Sequence, residues 1–388
     1  MTEIPTIGLG IIGLGYIGKI HAQACRSIPL CFAKPQAIGR INSVLRSHPD
    51  GDEELLDSLG SPTVTTDLDA FLSQDIDVVD ICSPNNLHEE EVLAAAKAGK
   101  HIYCEKPLGR NLAEVQRMTK AANEAHVFTH GAFVLRYVPA INQMKQLIDS
   151  GAIGTPLHFR GVMYHGSYLN PNRPMSWRLR KADSGSGAWL DLGAHMVDLC
   201  RYLMGDIETV QAQLRTFISQ RPVKAGSSEM ATVDVDDWCL CQMEMQNGAS
   251  GSVEVSRVAG GTGEDTKLEI YGSKGAVRYD VMKPETASFF DLKTGEWVQG
   301  RTEGPVTVNG RSLADVWPNG KFTHGMLINA HLASMYDFFL NIKEGKQSML
   351  AFEEGLVNQA VMEAAMVSSD RQGARVDVQE YMKVSLDG

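Results

Sequence analysis

A glycine-rich turn, a lysine ahead of a proline and an aspartate–histidine pair are the residues of this 388-residue chain best suited to chemistry. The turn is Gly13-Leu14-Gly15-Tyr16-Ile17-Gly18. It follows the apolar run Ile7 to Ile12 and precedes IHAQACRSI, so a strand should feed a helix. In that setting Gly13 makes the tight turn, Gly15 lets a pyrophosphate approach the backbone, and Gly18 allows close helix packing. The phosphates of a dinucleotide would sit at the helix N-terminus beside Tyr16 and Ile17. An overlapping match at Gly8, Gly10 and Gly13 is poorer. It leaves only a stub of strand and puts Gly15 and Gly18 inside the helix, at roughly 1 kcal/mol each. A tight turn in an unrelated α/β domain is the competing reading. The ribose-binding acidic residue of such folds lies about 20 positions onward, and Arg40 stands near that distance. A guanidinium pairs with a 2'-phosphate that a carboxylate would repel. Arg40 therefore tilts the expected cofactor, NAD or NADP, toward NADP; the alternative is a solvent-facing arginine with Asn42 or Ser43 at the ribose.

Lys106 follows the strand-like HIYCE and precedes Pro107, which biases it toward an extended backbone at a strand end. Open α/β sheets place ligands at that edge. Glu105 could pair with Lys106 or steady a cofactor. Ser83, Pro84, Asn85 and His88 follow the apolar strand DVVDIC and are expected at the same mouth. Asp191 and His195 are four apart on a predicted helix, so they share a face. Leu192, Met196, Leu199 and Leu203 mark the stripe that buries it. Histidine takes up a proton near neutrality, which suits a general base. Such a pair is also a common structural motif. Arg136, Tyr164, Trp177 and Arg178 are candidate substrate contacts, the tryptophan by stacking on a sugar ring.

The elements that must hold these groups change character along the chain. Up to about residue 125, short apolar runs alternate with helical patterns, which implies a mostly parallel sheet. Later segments such as Val210 to Ile218, Asp236 to Met245 and Gly251 to Arg257 lack long helices between them and imply a largely antiparallel sheet. The reading is an α/β chain with a dinucleotide-binding domain over 1–130 and an α+β domain over 131–388 carrying a large open sheet. One face of that sheet would be apolar unless a second copy covered it, so a homodimer or homotetramer is expected. The net charge of -11 speaks against a nucleic-acid partner. Seven cysteines, odd in number and set in apolar runs, suggest buried thiols. Cys239 and Cys241 lack further ligands at zinc spacing, so no metal is expected. With no leader-like start and no membrane-length apolar run, a cytoplasmic address is expected.

GLGYIG at 13–18, SPNNLH at 83–88, GKHIYCEKP at 99–107 and GSGAWLDLGAHMVDL at 185–199 together resemble the glucose-fructose oxidoreductase, inositol dehydrogenase and rhizopine catabolism family, Gfo/Idh/MocA. The resemblance covers almost the whole chain. It implies a Rossmann domain joined to an α+β domain, and hydride transfer between a nicotinamide and a sugar, anhydrosugar or cyclic polyol. It implies that Lys106 contacts substrate and nicotinamide, that Asp191 and His195 are the catalytic pair, and that Asp198 braces their helix. Lysine and imidazole should then meet beside one nicotinamide ring. Val134 and Leu135 before Arg136 depart from the family pattern where the resemblance would imply an asparagine contact. A glycosidase working by transient oxidation, and a non-catalytic ligand-binding protein, are the rival readings.

Overall fold

The computed structural model describes residues 4–48, 50–300 and 302–387. The first compact unit comprises residues 1–108, 114–137 and 309–355. Its strands are β1 (Thr6–Ile12), β2 (Ile38–Leu45), β3 (Thr63–Thr65), β4 (Val78–Ile81), β5 (His101–Cys104) and β6 (Thr129–Gly131). They form one sheet in the order β3-β2-β1-β4-β5-β6, and every pairing is parallel. The interleaved helices are α1 (Tyr16–Cys31), α2 (Glu53–Ser58), α3 (Leu68–Leu72), α4 (Asn85–Lys97) and α5 (Leu112–Glu124). All four residues of β4 are buried and six of the seven in β1 are, as an inner parallel strand requires. Gly8 and Gly10 lie inside β1, where a Cβ on Gly10 would come within 2.6 Å of the Phe71 ring. They are packing glycines, so the turn belongs to Gly13, Gly15 and Gly18.

Two differences from the sequence reading matter for function. Strand β2 runs past Arg40 to Leu45, because Ser43 can be buried with its hydroxyl donating to the Thr63 carbonyl oxygen at 3.2 Å. Residues 309–355 also belong to the first unit. Their helix, Met326–Glu344, packs on α1: Tyr336 stacks on Phe32 and its hydroxyl accepts the Gln36 N–H at 2.9 Å.

The second unit comprises residues 109–113, 138–308 and 356–388. After α6 (Pro139–Asp149) comes β7 (Pro156–Tyr164), then α7 (Ala194–Met204). The other strands of its large sheet are β8 (Ile207–Arg215), β9 (Trp238–Met245), β10 (Ser250–Ser256), β11 (Asp265–Gly272), β12 (Gly275–Asp280), β13 (Ser288–Asp291), β14 (Glu296–Gln299) and β15 (Val376–Asp377). They make a nine-stranded sheet ordered β14-β13-β12-β11-β7-β10-β9-β8-β15. Only the β7–β10 pairing is parallel. Phe159, Val253, Val255, Leu268, Ile270 and both Cys239 and Cys241 are buried on the face that packs against α7, where Gly161 leaves room for Met196. The opposite face is not the apolar surface expected. Arg160 and Arg278 both pair with Glu269, Arg278 lies over the Trp297 ring at 3.9 Å, and His158 stacks on Tyr271. All seven cysteines are buried and unpaired.

The approach to α7 is held by one carboxylate. Asp236 accepts the backbone N–H groups of Gly187 and Trp189, both at 2.7 Å, and the Ser186 hydroxyl. A Cβ on Gly187 would lie 1.8 Å from the Asp236 carbonyl oxygen. Gly187→Ala should therefore destabilise the protein by about 3 kcal/mol, as overpacking against fixed backbone does. Gly320→Ala, with open space around it, should leave stability unchanged. Urea midpoints of the two variants test the pair, and equal midpoints would contradict the assignment.

Candidate functional site

The parallel register sets the candidate site of the first unit. Ile12 pairs with Leu45 and with Ile81, and Ile81 pairs with Cys104, so β1, β2, β4 and β5 end at one level. Gly13, Arg46, Cys82 and Glu105 are the next residues and leave the sheet along one edge. Gly13 has a φ of +86° and donates its N–H to the Leu45 carbonyl oxygen at 2.9 Å. A Cβ on Gly18 would strike the Gly13 oxygen at 2.0 Å, whereas one on Gly15 would meet nothing within 4 Å. Gly15 is thus the open side of the turn. It caps α1 without any side-chain hydrogen bond, and Tyr16 beside it is exposed. This cradle, with free space over Gly15 and a helix N-terminus behind it, fits a dinucleotide pyrophosphate. Ile17 is half-buried on the first turn of the same helix.

Arg40 is not at this edge. It is the third residue of β2, opposite Gly8, and its Nε donates to Asn42 at 2.8 Å. It lies six residues before the strand's exit, on the order of 20 Å along an extended chain. The sequence distance misled because β2 continues through Asn42 and Ser43. Arg46 occupies the exit itself. It reaches the carbonyl oxygens of His48 and of Asp50, the latter at 2.6 Å. Its buried Nη1 makes no hydrogen bond among the described residues, with the Asp52 carboxylate 3.6 Å away.

At the next exit, Ser83 donates its hydroxyl to Glu91, and Pro84 precedes the first helical residue of α4, Asn85, which is buried. Burial holds the Glu91 carboxyl up at about 7, although the Ser83 hydroxyl opposes this. His88 is corrected from a cofactor contact to a strut. It is fully buried, with Nδ1 and Nε2 each 3.0 Å from a carbonyl oxygen, of Leu108 and Ser83. Arg136 likewise is committed inside the unit, where its guanidinium pairs with Glu354 at 3.0 Å and only 5% of the residue is exposed. It is not available for substrate oxygens.

Lys106 is the one partly exposed residue between Ile102 and Gly109, and the peptide to Pro107 is cis. Its backbone N–H donates to its neighbour Glu105 at 3.2 Å. The other Glu105 oxygen lies 3.0 Å from Nε2 of buried His21, whose Nδ1 is 2.9 Å from Asp80. Burial alone would raise the Glu105 carboxyl, but the His21 hydrogen bond and the charges of His21 and Lys106 bring it down to about 2. Two overlapping groups of metal-ligand type arise here, His21 with Glu105 and His331, and His21 with Asp80 and Cys82. No local spacing marks these groups, because the partners of His21 are 59 and 84 residues away. Burial opposes protonation of His21, but the Asp80 charge and hydrogen bond raise its pKa well above the ordinary value, and with both ring nitrogens facing carboxylates the ring is placed to donate from each.

The second unit supplies the other candidates. Trp189–Gly193 is a π-helical turn that leads into α7, so Asp191 and His195 span a widened turn rather than regular α spacing. From 184 to 201 they are the only partly exposed residues. Leu192, Met196, Leu199 and Leu203 are buried as expected, and so is Asp198. Asp191 pairs with Arg257 at 3.0 Å, and the same guanidinium reaches the Arg178 carbonyl oxygen at 3.3 Å. The Asp191 charge raises the pKa of Arg257 against its burial. The Trp177–Leu179 turn, with Arg178 over the Trp177 ring at 4.3 Å, is thereby tied to Asp191. Tyr164 is corrected: alternation along β7 puts it with Val162 on the face away from Gly161 and α7, beside Glu254. Sequence reasoning missed Arg257, Asp236, His21 and Arg46. Only Arg46 carried a signal, as the charged residue that directly follows the apolar Val44 and Leu45.

Comparison with known proteins agrees with this division. Residues 7–133 match the oxidoreductase family model with an NAD-binding Rossmann fold, and 141–278 match the GFO/IDH/MocA C-terminal domain. The chain is 34% identical to levoglucosan dehydrogenase of Pseudarthrobacter phenanthrenivorans, over 94% of this chain and 98% of the relative. It is 32% identical to myo-inositol 2-dehydrogenase of Thermotoga maritima, over 73% and 78%. A levoglucosan dehydrogenase solved with NADH and levoglucosan superposes with a TM-score of 0.87 at 32% identity, covering 96% of this chain and 99% of that one. An oxidoreductase domain protein of Kribbella flavida gives 0.87 at 33% identity, covering 97% and 100%. With its glycine cradle, its Glu-Lys-Pro exit and its Asp/His helix start, the chain belongs to the Gfo/Idh/MocA family of NAD(P)-dependent oxidoreductases acting on CH–OH groups.

Proposed function

We propose that this chain is a dehydrogenase of a pyranose-sized sugar or anhydrosugar, with His195 as general base. The observation that carries this reading is the pair Asp191 and His195, the only side chains that reach the surface from an otherwise buried stretch. The name of the levoglucosan relative, aligned over nearly both full lengths, supports the substrate class. His195 takes the proton of the reacting hydroxyl. Asp191, fixed by Arg257, accepts a hydrogen bond from a neighbouring hydroxyl, and Lys106 donates to the reacting oxygen. When bound, the nicotinamide accepts the hydride in oxidation and returns it in reduction. Trp177 gives the sugar ring a stacking surface. The tryptophan, tyrosine and arginine side chains of the outer sheet face have the composition of a protein interface, which supports self-association as a homodimer or homotetramer.

Arg46 supports a preference for NADP over NAD. The first residue past β2 is an arginine and not a carboxylate, and its Nη1, without a hydrogen bond among the described residues and 3.6 Å from the Asp52 carboxylate, suits a phosphate oxygen.

His195→Ala should lower kcat about 100-fold or more with levoglucosan, other sugars or inositols, while cofactor Kd stays within about twofold. Absorbance of the reduced cofactor and a fluorescence titration measure both. An unchanged kcat would remove His195 from the reaction. For the cofactor, kcat/KM should favour NADP, and Arg46→Asp should reverse the ratio by about 10-fold or more, the worth of a charge-assisted pair. Arg40→Ala should leave the ratio alone. An NAD preference indifferent to Arg46 would overturn the assignment.

A further inference from the structure

The buried cluster behind Lys106 has a geometry that general packing does not require. His21 projects from α1 with no exposed surface, and its ring is bracketed by Asp80 of β4 at 2.9 Å and Glu105 at 3.0 Å. Such a histidine costs desolvation unless both ring protons are accepted by charge. Glu105 then has one oxygen on His21 and the other on the Lys106 backbone N–H. We propose that His21, with Asp80 behind it, is a positioning residue for Lys106 and acts through Glu105. The imidazolium fixes the carboxylate, and the carboxylate fixes the backbone and balances the ammonium of the lysine at the sheet edge. This rests on the role given to Lys106 above.

The surroundings leave few other charges that could do this work. Burial pushes up the thiols of Cys82 and Cys104 and the Tyr103 phenol, so these groups are neutral. His88 and His331 are lowered by burial and are neutral as well, His331 to about 3, with its ring 4.8 Å from that of His21. His21, Asp80, Glu105 and Lys106 remain as two positive and two negative groups. Removing His21 leaves two buried carboxylates facing one ammonium, so Glu105 must bind a proton at higher pH than before. Glu105 is held low in the folded protein. Losing its partner raises it, and activity that needs the ionised form is then lost earlier as pH falls.

The test uses the full-length enzyme with the best sugar of the panel. His21→Asn keeps a donor near Asp80 only, whereas His21→Gln can place its amide near Glu105. In His21→Asn a second proton should enter the acid limb of kcat/KM, steepening and raising the limb that His195 alone sets in wild type, because a buried carboxylate that loses its cationic neighbour can titrate up to about 3–5 units higher. His21→Gln should lie between that and wild type, and the cofactor Kd at neutral pH should stay within about threefold for both. A purely structural histidine would lower thermal stability and scale the rate at every pH, leaving the limb in place; that outcome overturns the proposal. Lys106→Ala separates the two readings. If it retains full activity, the role of Lys106 fails; if it is impaired while the His21 limbs stay fixed, only the positioning role fails.

Discussion

The shared exit level of four parallel strands is the constraint on which the cofactor half of the molecule depends. Pairings of Ile12 with Leu45 and Ile81, and of Ile81 with Cys104, leave Gly13, Arg46, Cys82 and Glu105 in one row. No side chain has to be steered there individually. Any slip of one strand would move its loop by a residue and turn each side chain to the opposite face. The glycines secure that register from below. Gly10 admits Phe71 beneath the sheet, and Gly18 lets α1 approach the turn within a distance that any Cβ would forbid.

The second unit solves a different problem, that of holding two polar side chains at the surface of a buried helix start. Asp236 ties down the backbone before the π-helical turn, and Trp189 anchors its far side by donating its indole N–H to Met362. Arg257, itself 1% exposed, clamps Asp191 and the Trp177–Leu179 turn together. A buried arginine is tolerated there because its charge is met by a carboxylate. The widened turn gives Asp191 and His195 a relative direction that regular helical spacing does not.

Much of this was legible in the residues. The apolar run before Gly13 and the run DVVDIC marked inner strands because strands buried on both faces have no polar alternation to conceal them. The aspartate–histidine pair and the lysine before proline, singled out by spacing, are partly exposed within otherwise buried stretches. What remained hidden was set by partners distant in the chain. Ser43 sits in a buried strand because Thr63 receives its hydroxyl, and this single satisfied polar group carries the strand past Arg40, so that Arg46 stands at its exit. His88 and Arg136 looked like ligand contacts, but the carbonyls and the Glu354 that engage them cannot be inferred from local pattern. Tyr164 fell on the wrong side because the side-chain period of a strand is two, and a strand's inner face is known only once its neighbours are.

The cysteines carry one more consequence. Burial pushes the Cys25 and Cys200 thiols up to about 12, so almost no thiolate exists near neutral pH. Cys25, Cys82 and Cys104 lie in the first unit and Cys200, Cys239 and Cys241 in the second. Each unit thus holds its own set of silent alkylation probes. Their reaction times under an excess of maleimide would register the opening of one body independently of the other, with no label introduced by mutation.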